Sequence, residues 1–390
     1  MCNPPSVTGD YWRLWTSSGL SNLADGVLKV ALPLVAIEAT RSPVLIAGLA
    51  VAFSLPWLLV ALPAGAVVDR ADRRVLMMTA NLVRAVLVLA IAFGPTDIRL
   101  FSAIAFGIGV AEVLHDVAAQ SVVPAVVPDE HLSRANGRLY AVELTANEFV
   151  GPPLAGFLVA ASALAALAVP GGLWIAAVVA LFLVRGTFRP ERAQRASLRG
   201  EVAEGLAFLW RDRVLRAFSV VVGLFNFATS ATYAILVLYA VGAMGLDDRG
   251  FGWLLAAVAG GSVVGSVVAE RVERGLGRDR ALVGSLAVAA PLIALPAATA
   301  NPIAVGAGFF VSGAAIMVLN IVMVSLRQRR TPDRLRGRVT SGHRMVAWGS
   351  KPLGALAGGL VGELLGLPAV FLVMGLVAAA GIPVLVRALR

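Results

Sequence analysis

The chain has 390 residues, of which 58% are hydrophobic and only 14% charged, with a mean hydropathy of +0.84. Soluble domains run nearer 45–50% apolar and about 25% charged, so a soluble enzyme or binding module is excluded and a multi-pass membrane protein expected. The net charge of +10 does not point to nucleic acid, because the arginines cluster in the loops between apolar runs rather than on one face.

In chain order, the apolar runs predict twelve spans near 12–37, 43–67, 75–94, 98–123, 138–160, 163–184, 214–241, 250–269, 281–299, 302–326, 340–362 and 365–386. At about 20 residues per span these use roughly 240 residues, and no separate soluble domain fits in the remainder. The expected division is a first six-helix bundle over 1–184, a basic linker over 185–213 and a second six-helix bundle over 214–390. The first run is too long, and too interrupted by Asp25 and Lys29, for a cleaved signal peptide, so it is expected to remain in the mature protein.

Alternate loops carry the positive charge. One side holds Arg70, Arg73 and Arg74, then Arg134 and Arg138, the linker arginines, Arg271 to Arg280, and Arg327 to Arg338; the other holds Arg41, Arg99 and Arg249. The positive-inside rule then puts both termini in the cytoplasm of a cell-membrane protein. Within the linker, 201–210 reads as an amphipathic segment that either rests on anionic headgroups or simply tethers the bundles.

Between the second and third spans stands Gly65-Ala66-Val67-Val68-Asp69-Arg70-Ala71-Asp72-Arg73-Arg74, and a degraded copy, Gly265 to Arg271, follows about 200 positions later. Pro128-Asp129 matches Pro332-Asp333, and Gly151 and Gly156 match Gly354 and Gly359 at similar offsets. Three matches in order indicate a parallel repeat of six spans about an axis along the membrane normal.

These residues resemble the major facilitator superfamily. The cluster from Gly65 to Arg74 is similar to that family's motif A, and Gly151-Pro152-Pro153-Leu154-Ala155-Gly156 is similar to the G-P-x-x-G-G element of drug/proton antiporters, with Ala155 in place of one glycine. Leu55-Pro56-Trp57, Val123-Pro124, Ala135-Asn136 and Glu204-Gly205 with Phe208-Leu209-Trp210 resemble the macrolide-efflux and enterobactin-exporter group. The resemblance spans the chain and implies the all-α major facilitator fold and secondary transport. The arginine that many antiporters carry in the fourth span is missing around Ala105 to Gly109, so a mechanism resting on it does not carry over.

As a device, motif A reads as a gate latch: Asp69 facing the positive N-terminus of the eleventh helix, and Arg73 and Arg74 pairing with Asp116. Pro152 and Pro153 remove backbone donors and bend the fifth span. Ionisable residues inside the membrane are functional candidates by default: Asp25, Lys29, Arg84, Glu112, His115, Asp116, Glu143, Glu148, Arg344 and Lys351. Asp25 and Lys29, four apart, share a helix face and are expected to neutralise each other. Arg84 is expected to pair with an acid of the second or fourth span. Glu112 and Asp116 have the same spacing, and acids grouped on one face suit a carrier that must take up and release a proton. Glu148 and Lys351 hold corresponding places in the two halves and are expected to pair across the cavity. The proton and substrate candidates are therefore Asp25, Lys29, Glu112, Glu148 and Lys351.

No G-x-x-x-x-G-K-[ST] loop is present, so ATP drive is unsupported. Cys2 is the only cysteine, His115, His131 and His343 are the only histidines, and no catalytic or metal-ligand spacing stands out. The expectation is a non-enzyme without cofactor or metal: a proton-coupled exporter of an amphipathic drug, macrolide or siderophore-like metabolite, working as a monomer. Its partners would be the small-molecule substrate, protons and membrane lipids. An importer or facilitator on the same fold, or a lipid-handling or sensory protein without flux, are the alternatives.

Overall fold

In a computed structural model, residues 9–68, 70–95, 97–127, 131–184, 188, 206–332 and 335–390 are described, and among them every regular element is helical. Among the described residues, twelve rods follow the expected spans. The first six are α1 (Gly9–Ala39), α2 (Pro43–Leu59 continued by Ala61–Val68), α3 (Arg73–Phe93), α4 (Ile98–Val126), α5 (Leu132–Leu144, Thr145–Val150 and Gly151–Ala161) and α6 (Ala163–Phe182). The second six are α7 (Arg213–Gly242), α8 (Asp248–Leu276), α9 (Arg278–Ile293 and Leu295–Ala298), α10 (Pro302–Arg330), α11 (Arg336–Leu365) and α12 (Leu367–Ala379 and Gly381–Leu389).

Local chemistry sets the ends and the breaks. Asp72, Asp97, Asp212 and Asn301 each cap the first turn of α3, α4, α7 and α10 by accepting from two backbone N–H groups, which satisfies donors otherwise left without partners. Pro63, Pro296 and Pro383 lie just beyond the breaks in α2, α9 and α12; each lacks the N–H that would continue the ladder. Gly277 (φ 80) and Gly366 (φ 86) make the abrupt turns from α8 to α9 and from α11 to α12, in backbone territory open to glycine alone. By length and composition, eight helices among the described residues qualify as membrane spans. The other four rods are the broken α2, α5 and α9 and the arginine-rich α11.

The chain forms two compact units: Met1–Thr40 with Ala52–Ala193 and Asp247–Trp253, and Arg41–Val51 with Gln194–Leu246 and Leu254–Arg390. The first therefore takes in the start of α8, and the second the start of α2. In the first unit α1 packs on α5 and α6; in the second α7 packs on α11 and α12, as a six-helix repeat requires. Close backbone approach explains the matched glycines. A Cβ on Gly151 would lie 2.7 Å from Gly26 of α1, and one on Gly354 would strike the carbonyl of Phe227 in α7. Gly265 does not end a helix as Gly65 nearly does: it sits within α8, against Ala314 of α10.

Most of the linker lies outside the described residues. Its last part, 206–211, is helical, and Leu209 is buried with Leu215, Leu335 and Val339. This end of the linker is docked onto the second bundle rather than hanging as a tether.

Candidate functional site

The polar residues of the first unit sort into two neighbouring groups around α1. One is sealed. Ser21 and Asp25, one turn apart on α1, meet Asn81 and Arg84, one turn apart on α3. The Arg84 Nη1 donates to Asp25 Oδ1 at 2.8 Å and Oδ2 at 3.1 Å, and Nη2 donates to Ser21 Oγ at 3.0 Å and to Asn81 Oδ1. Ser21 Oγ also donates to Asn81 Oδ1 at 3.2 Å. Trp174 of α6 closes the cluster, with the guanidinium 5.2 Å from its ring. Arg84 is 0% exposed and Asp25 6%. An ion pair withdrawn this far from water persists only when both charges are paired and hydrogen-bonded.

The second group opens outward. Lys29 Nζ lies 3.4 Å from Glu112 Oε1 of α4 and donates to Asn147 Oδ1 of α5 at 3.5 Å. The lysine side chain is 41% exposed and the glutamate 11%. From there the polar contacts run along α1: Asn147 Nδ2 donates to Asn22 Oδ1 at 3.4 Å, Asn22 Nδ2 to the Ser18 carbonyl at 3.0 Å, and Ser18 Oγ to Glu143 Oε1 at 3.4 Å. Asn147 sits in a π-helical turn, Thr145–Val150, where Gly151 N bonds the Ala146 carbonyl five residues back. Pro152 and Pro153 follow at once and offer no N–H to the carbonyls of that turn. Such π-turns concentrate at functional sites; here the turn presents Asn147 to α1, its carbonyl against Gly26 and its side chain between Asn22 and Lys29.

Several expected pairings are replaced. Asp25 and Lys29 share a face, yet each takes a partner from a different neighbouring helix. The bidentate guanidinium of Arg84 satisfies Asp25 inside the bundle, while the long lysine side chain reaches the open side. Arg84 thus pairs with the first span, not the second or fourth. Glu112 and Asp116 do not act on each other as a bare acid pair, because Glu112 meets Lys29 and Asp116 lies 3.2 Å from His115 Nδ1. His115 is buried and Asp116 partly exposed. Glu148 is exposed beside Asn147 in the first unit. Lys351 is exposed in the second, with its Nζ 5.8 Å from the centre of the Trp348 ring in α11. The side chain of Arg344 lies outside the described residues.

Motif A also differs from the expected latch. Arg73 Nη1 donates to the Ser121 carbonyl at 2.8 Å, and Arg74 donates to the carbonyls of Leu181 at 2.9 Å and Phe182 at 2.8 Å. In this conformation both arginines tie α3 to the ends of α4 and α6, and neither pairs with Asp116. Arg70 is exposed, a Cβ on Gly65 would meet nothing within 4 Å, and Asp69 lies outside the described residues. The acid of the motif with a defined structural role is Asp72: it caps α3 through Oδ1 and accepts from Phe188 N through Oδ2 at 3.1 Å. The fifth-span element is a packing surface: Gly156 abuts Asp248 and Arg249 at the start of α8, the Pro152 carbonyl lies 2.7 Å from where a Cβ on Gly252 would stand, and Phe157 meets Trp253 edge to face.

Ser18, Ser21, Asn22, Asn81, Asn147 and Trp174 escape a reading that counts only ionisable groups. The signal that finds the α1 members is the spacing of Ser18, Asn22, Asp25 and Lys29 along one apolar helix.

The Transmembrane secretion effector family profile matches residues 5–389. The multidrug efflux pump Tap of Mycobacterium tuberculosis (strain ATCC 25618 / H37Rv) is 30% identical over 396 residues, covering 95% of this chain and 91% of that one. Macrolide efflux protein A of Streptococcus pyogenes is 23% identical over 58% of each chain. Among solved structures, the nucleoside transporter NupG superposes with a TM-score of 0.79 at 12% identity, over 98% of this chain and 100% of that one. A bacterial homologue of the iron transporter ferroportin, inward-facing, gives 0.73 at 17% over 97% and 98%. At such identities these structures share the fold only. With the family profile matched across nearly its whole length, the chain belongs to the transmembrane secretion effector family of the major facilitator superfamily.

Proposed function

We propose that this chain is a proton-coupled exporter of amphipathic small molecules, and that Glu112 carries the proton. The observation that carries the reading is the Lys29–Glu112–Asn147 group: a lysine and a carboxylate 3.4 Å apart, partly open, beside a π-turn in a proline-bent helix. Protonating Glu112 removes the charge that holds Lys29, so the lysine is free to swing into the open space in front of Glu112 that the substrate would otherwise occupy. Substrate entering that space and the proton on Glu112 then compete, which couples the two fluxes in opposite directions. The buried Asp25–Arg84 cluster holds α1 and α3 at fixed register behind the moving groups. The efflux names of the relatives support export over import.

In this reading the charge map gives the orientation, with the basic loops and both termini on the cytoplasmic side of the cell membrane. One proton moving inward releases about 2.3 kcal/mol per 100 mV and about 1.4 kcal/mol per pH unit. Together they sustain roughly a 500-fold gradient of a neutral solute. The protein would act as a monomer, with lipid around it and no cofactor.

Everted membrane vesicles test the reading. An imposed acid-inside gradient should drive accumulation of fluorescent amphipathic dyes by the native protein. Glu112→Gln should abolish that accumulation while downhill dye exchange continues. Accumulation that survives Glu112→Gln refutes the assignment, and accumulation driven only by the opposite gradient makes the protein an importer.

A further inference from the structure

The second unit contains a cavity that the charged groups of the first do not explain. It has a volume of ≈ 80 Å³ and lies among α7, α8, α9 and α10, walled by Phe225, Phe309 and Tyr233 and rimmed by hydroxyls. Among the described residues its lining contains no charged side chain. Each serine and threonine hydroxyl of the rim already uses its single proton on a backbone carbonyl. Thr229 donates to the Phe225 carbonyl at 2.9 Å, Thr232 to that of Ala228 at 3.1 Å, Ser262 to that of Val258 at 3.1 Å and Ser312 to that of Ala289 at 3.5 Å. A hydroxyl has one donor and two acceptor lone pairs. With the donors occupied, what these four oxygens retain is acceptor capacity, set in an aromatic and aliphatic wall.

From this chemistry we infer that the cavity binds a neutral aromatic group bearing a hydrogen-bond donor, such as a phenol, as one end of the transported molecule. The inference rests on the transport reading and adds the substrate class. An anion is rejected because it would face four acceptor oxygens with no cation in the lining. A cation is rejected because burying it without a carboxylate is costly. A purely apolar ring fits the walls but leaves the acceptor lone pairs of these oxygens desolvated without a donor, which penalises it relative to a donor of similar size. The volume is about half of the roughly 150 Å³ that encloses a benzene ring, so the site takes the donor edge of the ring while the remainder extends through the opening. Helix packing also explains why the site is small. Gly261, Gly265 and Gly313 bring the backbones of α8 and α10 into contact on one side of it.

The test is ¹⁹F NMR line broadening on the purified full chain in detergent micelles, with 4-fluorophenol, 4-fluoroanisole and 4-fluorobenzoate as probes. 4-Fluorophenol should bind several-fold more tightly than 4-fluoroanisole, and 4-fluorobenzoate should stay sharp. Ile316→Trp, which fills the cavity, should abolish the difference between the first two. Thr229→Val keeps the volume and removes an acceptor, and it should weaken 4-fluorophenol by about two- to tenfold while leaving 4-fluoroanisole unchanged. This second variant separates loss of the site from collapse of the fold. Equal binding of the phenol and the ether, or binding of 4-fluorophenol that is indifferent to both variants, overturns the inference. Because no gradient is applied, failure here leaves proton-driven export standing, and failure of export leaves the binding result intact.

Discussion

Removing one half of the Asp25–Arg84 pair should destabilise the first bundle far more than removing both. Arg84 is 0% exposed, and Asp25 is its acidic partner among the described residues, at 2.8 and 3.1 Å. In Asp25→Leu the guanidinium keeps Ser21, Asn81 and the Trp174 face, but its charge is uncompensated. Breaking a buried pair in this way costs about 3–5 kcal/mol, whereas replacing both members with well-packed apolar residues is often neutral. The double variant Asp25→Leu, Arg84→Met conserves bulk and should recover most of the loss, giving a coupling of about 3 kcal/mol, or about 150-fold in the folding equilibrium. The assay is a double-mutant cycle read by denaturant unfolding in mixed micelles, with dye accumulation in vesicles measured in parallel. If Asp25 is a positioning residue, the double variant accumulates dye like the native protein and Glu112→Gln on that background abolishes it. Additive single effects, with a coupling below about 1 kcal/mol, would refute the argument that burial makes this pair interdependent. Loss of accumulation in a stably folded double variant would move the proton to Asp25.

Gly26→Val places a side chain against the backbone of Asn147, whose Cα would lie 2.8 Å from the new Cβ; overpacking should lower stability by about 1–3 kcal/mol and depress transport, measured in the same two assays. A Cβ on Gly65 meets nothing within 4 Å, so the unfolding midpoint of Gly65→Ala should not fall; a fall would show that motif A is packed in a way the described residues do not reveal. Asp72→Ala removes the α3 cap and the bond to Phe188 N, and should cost about 0.5–2 kcal/mol with faster proteolysis of the linker after 184, whereas Asp72→Asn, which keeps the cap acceptor, should retain most of the stability. Lys29→Met should leave Glu112 without its cation and shift the pH at which dye accumulation is half-maximal; an unmoved pH profile would remove Lys29 from the coupling.

Legibility follows the range of each interaction. The twelve spans can be read from the chain because crossing a bilayer imposes about 20 apolar residues regardless of neighbours. The helix caps at Asp72, Asp97, Asp212 and Asn301, and the breaks before Pro63, Pro296 and Pro383, are also local, and attention to Asx and proline positions finds them in the sequence. The intramembrane acids and bases are legible as a list but not as pairs. Matching Asp25 with Lys29 relies on spacing, and matching Arg73 with Asp116 relies on neighbouring spans; spacing says only which residues share a face.

Hydropathy, charge placement and motif spacing are properties of a linear chain, and they suffice to specify a twice-repeated six-helix membrane protein with basic loops on one side. They cannot say that Asp25 turns inward to Arg84 while Lys29, one turn away, turns outward to Glu112, which emerges only when the helices are packed. The cause is the angle between the two side chains. About 40° around a helix of 3.6 residues per turn is enough, where three helices meet α1, to send one side chain into a sealed contact and the next into an open one.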